Sequence, residues 1–355
     1  MEDKIKIMFY TPSLNVGGIE RVFVTYANSL CQICDVYFVF GHNGGDLISL
    51  LHEKVIACSL GSVRLRSSLP AFIRIINQYK PNYLISGGEI PNLFCLIASF
   101  FSKTKPKNIF SQHNYFNVES NRFICKFIIK SFYNLANKVI SVSNGISSFL
   151  LDLGVDKNLL VTLYNPIDVD DIVDKSHFPL VIPQKEYLLF VGRLNKVKNL
   201  LFMIESFKLV LEKYPELTLL LVGDGDMKHL LDNYIQQNGL INKVVLVGSV
   251  PNPYPYIAKS KLLLLPSFSE ALPTVILEAF SLGITVVATP TNGANDLLKN
   301  GTLGYISSSF DNPSEFSNLI FKALENPMPI SILKKNAELY SINNKIRELL
   351  SCLYN

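Results

Sequence analysis

The sequence predicts an α/β protein built from two open, parallel-sheet domains in series. Short apolar segments with strand character alternate with longer amphipathic segments through both halves of the chain. The length of 355 residues is enough for two domains of ordinary size. A segment rich in Pro and Asp, without clean periodicity, separates the halves. Alternating strands and helices fold into parallel sheets that helices cover on both faces.

Five strands are predicted in each half from short apolar runs. In the first half they are Ile5–Tyr10, Val36–Phe40, Tyr83–Ser86, Asn108–Gln112 and Lys138–Val142. In the second half they are Tyr187–Val191, Thr218–Val222, Val244–Val247, Lys261–Pro266 and Thr285–Ala288. Between strands of the second half, Leu200–Lys213 and Met227–Gln237 have the apolar period of amphipathic helices.

The predicted boundaries place a first domain at residues 1–165, a linker at 166–185 and a second domain at 186–335. Residues 336–355 are expected to form a helical tail that packs back toward the first domain. Ligands of open parallel sheets bind beyond the carboxyl ends of the strands. The two domains are therefore expected to face an interdomain cleft that holds a ligand.

Composition restricts the class of protein further. Hydrophobic residues make up 48% of the chain and charged residues 17%, which excludes a disordered protein. The net charge of +4 is too small to suggest a nucleic-acid partner. Without a signal-peptide pattern or a long uncharged apolar segment, a cytoplasmic location is expected. The six cysteines are expected to be reduced thiols.

Two features of the first half are candidate binding residues. Gly17 and Gly18 follow the first strand, where backbone N–H groups can approach an anion at a helix N-terminus. A tight turn explains the glycine pair equally well, and the absence of GxGxxG argues against a dinucleotide site. His113 follows the fourth strand and is expected to face the cleft, where a functional role and a structural role are equally plausible.

In the second half, Gly192 and Arg193 follow the first strand, with Lys198 and Asn199 shortly after them. An Arg, a Lys and the N-terminus of the next helix together suit a diphosphate, although a solvated basic loop is the alternative. The loop after the third strand, which contains Val250, is a candidate for holding a flat base.

The segment SFSEALPTVILEAF, residues 267–280, carries two glutamates eight residues apart in apolar surroundings. Pro273 suits the first position of a helix, which places Glu270 in the loop before it and Glu278 one turn beyond Thr274. Hydroxyl groups of a sugar nucleotide would satisfy both carboxylates. The alternatives are a buried ion pair for Glu278 and a solvated loop residue for Glu270.

Two Asp-x-Asp triplets, Asp168–Asp170 and Asp224–Asp226, raise the question of a metal ion. The first lies in the predicted linker and the second in a tight turn, and both are poor settings for a divalent ion that must meet a diphosphate. No metal site is therefore predicted.

The ordered set of these features resembles the retaining glycosyltransferases of family 4, which have the GT-B architecture of two Rossmann-like domains. The matching motifs are E-x7-E at residues 270–278, GRLxxxKN at 192–199, the glycine pair, His113, VISVSN at 139–144 and LYNPID at 163–168. The stretches NVGGIERV and SQHN resemble transferases of bacterial capsule and O-antigen polysaccharides.

The resemblance implies a role for each matching residue. Glu270 would contact the hydroxyls of the donor sugar, and Glu278 would hold the ribose. Arg193 and Lys198 would bind the diphosphate and stabilise the leaving nucleotide, while His113 would hydrogen-bond near the reacting side of the sugar. The remaining substrate-binding residues would be Gly17, Gly18, Asn199, Val250, Ala271, Leu272, Pro273 and Thr274. The family usually needs neither metal nor cofactor.

The function predicted on this basis is transfer of a hexose or N-acetylhexosamine from a nucleotide-diphosphate sugar, expected to be a UDP-sugar, to a lipid-linked surface-polysaccharide acceptor. Two other GT-B activities remain open, namely sugar-nucleotide epimerisation and transfer to a soluble sugar phosphate. A non-catalytic protein that binds nucleotide sugars during assembly is a further alternative.

Residues 121–133, NRFICKFIIKSFY, place Arg122, Lys126 and Lys130 four residues apart among aromatic and aliphatic side chains. The pattern suits an anionic membrane surface, and it suits equally a helix whose apolar side packs on the sheet. Residues 1–165 hold 16 Lys and Arg against 10 Asp and Glu, whereas residues 166–355 hold 17 against 19. The resulting charges of +6 and −2 slightly favour the membrane alternative.

Overall fold

A computed structural model describes residues 4–15, 17–41, 44–62, 65–115, 122–180 and 186–354, without the side chains of residues 65 and 66. Val16 of the NVGGIERV stretch, Asn121 and residues 181–185 of the predicted linker lie outside these ranges. The chain divides into two compact units. The first unit reaches to Pro166 and takes in the chain again from Ile342, and the second spans Ile167–Ser341.

The first unit is built on a seven-stranded parallel sheet with strand order β3-β2-β1-β4-β5-β6-β7. Its strands are β1 Lys6–Thr11, β2 Asp35–Phe40, β3 Ile56–Ser59, β4 Tyr83–Gly87, β5 Lys107–Gln112, β6 Lys138–Ser141 and β7 Leu160–Thr162. Its helices are α1 Gly18–Leu30, α2 Leu65–Tyr79, α3 Glu89–Phe101, α4 Arg122–Phe132, α5 Asn144–Asp152 and, from the end of the chain, α14 Ile342–Tyr354.

Alternate residues of β1 supply the two faces of the first sheet. Ile7 and Phe9 are fully buried in a cluster with side chains of α1 and α14. Met8 and Tyr10 are fully buried in a second cluster with side chains of α2 and α3. Because successive strand residues point to opposite faces, the apolar run of β1 fills both layers of an α/β/α sandwich.

The second unit repeats this arrangement around a six-stranded parallel sheet with strand order β10-β9-β8-β11-β12-β13. Its strands are β8 Tyr187–Val191, β9 Thr218–Val222, β10 Val244–Gly248, β11 Leu262–Leu265, β12 Val286–Ala288 and β13 Tyr305–Ile306. Its helices are α6 Val169–Ser176, α7 Leu200–Lys213, α8 Lys228–Gln237, α9 Tyr254–Lys259, α10 Thr274–Ser281, α11 Asn292–Leu297, α12 Pro313–Glu325 and α13 Ile330–Glu338. The predicted fold class, two Rossmann-like α/β/α domains with parallel sheets, is confirmed.

Every predicted strand is present, with its ends shifted by at most one residue. The three strands that the sequence did not indicate, β3, β7 and β13, all lie at sheet edges. The four residues of β3 are all exposed or partly exposed. An edge strand is short and half-covered, so it lacks the continuous apolar run by which a central strand is recognised.

The segment predicted as a linker, residues 166–185, is not a linker where it is described. It contains the helix α6, and Asp168 caps that helix because its Oδ1 accepts a hydrogen bond from the backbone N–H of Asp171 at 3.0 Å. The helix packs on α9 and α10 within the second unit. The helix has only eight residues and three of them are Asp, so the segment is too short and too polar to show the apolar periodicity of a helix.

The predicted tail, residues 336–355, is divided between the units. Helix α13 ends at Glu338 in the second unit, whereas α14 packs on α1 in the first. The Tyr83 hydroxyl donates a 2.8 Å hydrogen bond to the Leu353 carbonyl oxygen, which ties the end of α14 to the start of β4. Within the described ranges, every helix is too short or too polar to span a bilayer.

Candidate active site

The second sheet has its topological switch point between the neighbouring strands β8 and β11. The connection after β8 leads to β9 on one side, and the connection after β11 leads to β12 on the other. Diverging connections leave a crevice at the carboxyl ends of these two strands, which is the usual ligand position in open α/β sheets. The predicted residues Gly192–Asn199 and Ser267–Glu278 follow these two strands.

The loop after β8 lies against the loop after β9 at very short backbone distance. A Cβ atom at Gly223 would collide with the carbonyl oxygen of Gly192, and one at Gly225 would collide with that of Leu194. Gly223 also has φ of +144°, a conformation that side chains disfavour. These glycines therefore serve close packing of two loops, and the packing fixes the start of the segment that carries Arg193 and Lys198.

A 3-10 helix, Lys196–Lys198, brings the chain from this loop to α7. Asn199, at φ 52° and ψ 41°, joins the two in the left-handed conformation that asparagine tolerates better than most residues. Its side-chain Nδ2 donates a 2.8 Å hydrogen bond to the carbonyl oxygen of Phe310. Asn199 thus anchors the chain to the backbone of the loop after β13, and this anchor fixes the position of the preceding residue, Lys198.

Lys198 and Glu270 form an ion pair across the switch point. The Lys198 Nζ lies 2.5 Å from the Glu270 Oε1, and the two side chains are 20% and 13% exposed. Ser267, fully buried at the end of β11, donates a 2.6 Å hydrogen bond from its Oγ to the same Oε1. Residues 72 positions apart in the sequence are thereby fixed at the carboxyl ends of β8 and β11.

The backbone after Glu270 is held by the start of α11. Gly293 donates a 3.1 Å hydrogen bond from its N–H to the Glu270 carbonyl oxygen. A Cβ at Gly293 would come within 3 Å of Ala271 and Pro273, so only glycine allows this approach. Leu272 and Pro273 are buried as a result.

Helix α10 begins at Thr274, one residue later than predicted, so Pro273 precedes the first helical residue. Thr274 and Glu278 lie one turn apart on this helix and are both half-buried. The expected placement of Glu270 in the loop and Glu278 inside the helix is therefore observed.

Arg193 and Val250 follow β8 and β10 on the carboxyl edge of the same sheet. Arg193 is exposed, and its guanidinium has no ion-pair partner among the described residues. Val250 is half-buried two residues beyond the end of β10. Neither side chain joins the Lys198–Glu270 pair directly, so any common ligand would have to bridge them.

The Asp-x-Asp triplets have structural partners. Asp168 is the cap of α6 described above. The Asp224 Oδ1 accepts a 2.8 Å hydrogen bond from the Gly225 N–H, and Lys228 lies 3.5 Å from its Oδ2. That backbone hydrogen bond, followed by the charge of Lys228, lowers the pKa of Asp224. Within the described ranges, no three His, Cys, Asp or Glu side chains converge as a metal site would require.

In the first unit, Gly17 is the cap residue of α1 and Gly18 is its first residue. A Cβ at Gly17 would collide with the carboxylate of Glu20, whose pKa is raised by burial. A Cβ at Gly18 would meet no atom within 4 Å. The Glu20 carboxylate ends a flexible side chain that can move aside, so packing requires a glycine at neither 17 nor 18.

His113 is buried in the first unit, with 7% of its surface exposed. Its Nε2 lies 2.8 Å from the Ser111 Oγ, and its ring meets the edge of Phe23 at 5.8 Å between centroids. Burial lowers its pKa to about 4, so the imidazole is neutral at pH 7. It lines a cavity of about 20 Å³, room for one water, together with side chains that include Asn165 and Leu349.

A polar network at the ends of β4 and β5 was not foreseen from the sequence. Tyr133 donates a 2.6 Å hydrogen bond to the Gln112 Oε1 and accepts one of 2.9 Å from the Asn92 Nδ2. Gln112 in turn donates to the Glu89 Oε1 at 2.8 Å, and Ser86 donates to the Asn92 Oδ1 at 2.7 Å. These partners are up to 41 residues apart, and no local pattern links them.

Two family models divide the chain between them. The model described as Glycosyltransferase Family 4 matches residues 16–171, and the model described as Glycosyl transferases group 1 matches residues 173–341. Together with two Rossmann-like units, these matches define a glycosyltransferase fold of the GT-B type. The chain belongs to the family 4 glycosyltransferases.

Two relatives illustrate how far this similarity extends. An uncharacterized glycosyltransferase of Methanocaldococcus jannaschii is 28% identical over 68% of this chain and 64% of its own length. A Campylobacter jejuni enzyme is 28% identical over 85% of this chain and 84% of its own length. It is the GalNAc-α-(1→4)-GalNAc-α-(1→3)-diNAcBac-PP-undecaprenol α-1,4-N-acetyl-D-galactosaminyltransferase. The chain thus spans less than two thirds of the first relative and most of the second.

The fold is shared with a solved structure of low sequence identity. Anabaena HepE, crystallised in complex with UDP, is 20% identical and has a TM-score of 0.83 over 99% of this chain and all of that chain.

Proposed function

We propose that this protein is a retaining glycosyltransferase that moves a hexose or N-acetylhexosamine from a UDP-sugar to a lipid-linked surface-polysaccharide acceptor. The observation that carries the proposal is the Lys198–Glu270 pair at the switch point of the second sheet. Membership of family 4 supports the class of reaction. The undecaprenol-linked acceptor in the name of the Campylobacter relative and the UDP bound to Anabaena HepE support the two substrates.

The donor would engage both members of the pair. An ammonium group has three N–H donors, and Lys198 uses one of them on Glu270, which leaves two for diphosphate oxygens. Lys198 and Ser267 both contact Oε1 of Glu270, so Oε2 is left to accept a hydrogen bond from a sugar hydroxyl. The pair would thus join the diphosphate and the sugar at one fixed point.

Arg193 would add a second cation to the diphosphate. Its exposed guanidinium has no competing ion pair among the described residues, and its planar donors suit two phosphate oxygens at once. Charge builds on the departing nucleotide as the glycosidic bond breaks, so two fixed cations would stabilise that charge in the transition state. Catalysis would then consist of leaving-group stabilisation and positioning of the acceptor.

Glu270 would hold the sugar and would not attack it. Its Oε1 accepts hydrogen bonds from an ammonium and a serine hydroxyl, which hold the carboxylate in position and lower its nucleophilicity. Retention would follow from attack by the acceptor on the face that the diphosphate leaves, as the family resemblance implies.

The remaining predicted residues keep proposed roles around the donor. Glu278 on α10 would hold the ribose, and the loop containing Val250 would hold the base. In the first unit Gly18, where an added Cβ would meet no atom within 4 Å, would approach the phosphates or the sugar. A neutral His113 would hydrogen-bond near the reacting side of the sugar.

The test is a panel of nucleotide sugars, first in thermal shift and then in transfer assays. A donor that binds the native protein raises its melting temperature. We expect a UDP-sugar to give the largest shift, and transfer to a polyprenyl-diphosphate-linked sugar to yield a product whose anomeric configuration, read by NMR, matches the donor. We also expect transfer to continue in EDTA. Inversion of configuration would overturn the retaining mechanism, and loss of transfer in EDTA would overturn metal independence.

Two variants and a matched control assign the roles. Lys198→Met should weaken UDP binding by roughly 10- to 100-fold, the value of a charge-assisted hydrogen bond. Glu270→Gln should keep UDP binding and lose transfer. Lys228→Met removes a lysine whose ion pair with Asp224 is exposed, and it should change neither. A fully active Glu270→Gln enzyme would refute the assignment.

The same assays separate the alternatives. Conversion of one UDP-sugar to its epimer without any acceptor would identify an epimerase. Transfer to a soluble sugar phosphate and not to a lipid-linked sugar would identify a soluble transferase. Binding of UDP without turnover on any acceptor would favour a non-catalytic assembly protein.

A further inference from the structure

Helix α4 does not pack like an ordinary amphipathic helix of an α/β protein. Cys125, Ile128 and Ile129 are buried, which defines its inner face. Phe123 and Phe127, one turn apart, are nevertheless 90% and 61% exposed. The packing of α4 within the first unit therefore uses only part of its apolar surface, and two phenylalanines are left exposed to solvent.

The neighbouring helix α3, which packs against α4, shows the same feature at its end. Phe100 and Phe101 are 73% and 64% exposed, and their rings are in edge contact at 5.3 Å between centroids. Ile97, one turn earlier, is also exposed. Four phenylalanines on two adjacent helices are thus open to solvent, whereas single exposed apolar residues are what a protein surface normally carries.

The charge around these helices is predominantly positive. Residues 89–151, counted from the start of α3, contain seven Lys or Arg and two Glu, a net charge of +5 out of the +6 of residues 1–165. The seven cations are Lys103, Lys105, Lys107, Arg122, Lys126, Lys130 and Lys138. Arg122, Lys126 and Lys130 recur every four residues and form an exposed stripe beside Phe123 and Phe127.

We infer that this α3–α4 face, defined by Phe100, Phe101, Phe123 and Phe127 with the Arg122–Lys126–Lys130 stripe, docks on the surface of an anionic phospholipid bilayer. Phenylalanine rings lose the cost of exposure when they enter the boundary between headgroups and acyl chains, and nearby cations gain from anionic headgroups. The inference deepens the proposed function, since a polyprenyl-diphosphate acceptor is itself held in such a membrane.

The charge pattern is what selects a membrane over a second copy of this chain. A symmetric self-contact would bring the stripe of one copy against like charges, because the whole region is basic. An anionic bilayer supplies the opposite charge over an extended area and accepts apolar side chains next to it. A bilayer would therefore bind both parts of the surface, with its anionic headgroups contacting the cations and its apolar boundary accepting the phenylalanines.

Flotation of the full-length protein with vesicles tests the inference. Vesicles of 70% phosphatidylcholine and 30% phosphatidylglycerol should carry the protein upward at low salt, and vesicles of phosphatidylcholine alone should not. Lys126→Gln/Lys130→Gln should lower partition by roughly 30-fold, from about fivefold per cation removed. Phe123→Ser/Phe127→Ser and Phe100→Ser/Phe101→Ser should each lower it by roughly tenfold or more. High salt should weaken binding by the wild-type chain.

Matched controls lie in the second unit. Phe178, which is 58% exposed, is changed to Ser, and the exposed Lys334 and Lys335 of α13 are changed to Gln. Both controls should float like wild type. Because all of these residues are exposed, thermal unfolding should be unchanged in every variant, and this is measured alongside.

Several outcomes would overturn the inference. If the α3–α4 variants and the controls reduce vesicle binding equally, the binding is due to nonspecific electrostatic attraction and not to the α3–α4 face. No flotation with anionic vesicles, or a concentration-dependent dimer that Phe123→Ser/Phe127→Ser dissociates, would assign the face to another role or to a second copy. If vesicle binding fails while transfer to a short-chain, water-soluble acceptor persists, the membrane inference alone fails. If binding persists without transfer from any donor, the proposed function alone fails.

Discussion

Removing Lys198 should destabilise the second unit measurably, because it leaves Glu270 without its cation. The ion pair joins the ends of two central strands, at 2.5 Å between Nζ and Oε1. Lys198→Met keeps most of the length and apolar stem of the side chain and removes the charge together with the N–H donors. Among the described residues, Ser267 would remain as the side-chain hydrogen-bond partner of the carboxylate.

The expected size follows from the burial of the pair. With only 20% and 13% of the two side chains exposed, solvent replaces the lost interaction poorly. A hydrogen bond to a charged group contributes about 1.5–3 kcal/mol, so the loss should be about 2 kcal/mol for Lys198→Met. Glu270→Gln should cost less, about 1 kcal/mol, because the amide oxygen still accepts from Ser267. For a unit of this size, 2 kcal/mol corresponds to a fall in melting temperature of roughly 4–8 °C.

The assay is a double-mutant cycle of Lys198→Met, Glu270→Gln and the double variant, followed by urea and thermal unfolding. Since both single changes break the same contact, the double variant should lose less than the sum, with a coupling of about 1 kcal/mol. The control is the Lys175–Asp171 pair of α6, which is as short at 2.6 Å but has side chains 45% and 42% exposed. Its coupling should be about 0.5 kcal/mol or less.

Additive losses at Lys198 and Glu270, or equal coupling in the buried and exposed pairs, would refute the reasoning. Either result would mean that the contact at the switch point is held by the surrounding backbone and not by the charges. Stabilisation by Lys198→Met would mean that desolvation of the pair exceeds its attraction.

Three further predictions concern the first unit. Gly18→Ala should leave the melting temperature unchanged or raise it, since no atom lies within 4 Å of the added Cβ. If the donor approaches the backbone there, the same change should lower kcat/KM at least tenfold. Unchanged activity would show that Gly18 is not part of the site. Tyr133→Phe should cost about 1–3 kcal/mol in urea unfolding, because Gln112 and Asn92 each lose a buried partner, and a loss below about 0.5 kcal/mol would contradict a cooperative network. As the pH is lowered from 6.5 to about 4, His113 takes up a proton in the unfolded chain but stays neutral in the folded protein. The free energy of unfolding should therefore decrease as the pH falls through this window. The His113 contribution reaches about 3 kcal/mol, and His113→Gln should show a flatter dependence; equal slopes would show that another group dominates.

The central strands and the two-unit architecture were predictable because their cause is local. A strand covered on both faces needs an uninterrupted apolar run, as in Leu262–Leu265, and such a run is visible without knowing its neighbours. The edge strand Ile56–Ser59 and the helix Val169–Ser176 escaped prediction because they are short and partly exposed. Their structure depends on pairing and packing partners elsewhere in the chain.

For the candidate site, the sequence by itself determined which residues follow which strands, and therefore that Lys198 and Glu270 lie at the carboxyl edge of one sheet. It also determined that Glu278 lies inside a helix, because Pro273 and the apolar run after it define the helix start. Position along the chain is enough for these conclusions, since the carboxyl ends of parallel strands share an edge.

Only the tertiary structure decided how these residues meet. The pairing of Lys198 with Glu270, the burial of His113 and the exposure of Phe123 depend on contacts between segments far apart in sequence. The sequence pattern of α4 was compatible with packing on the sheet and with docking on a membrane. In the structure one apolar face of the helix is buried and a second apolar face is exposed to solvent. The physical reason is that periodicity fixes which side chains share a face, whereas burial depends on what the fold places against that face.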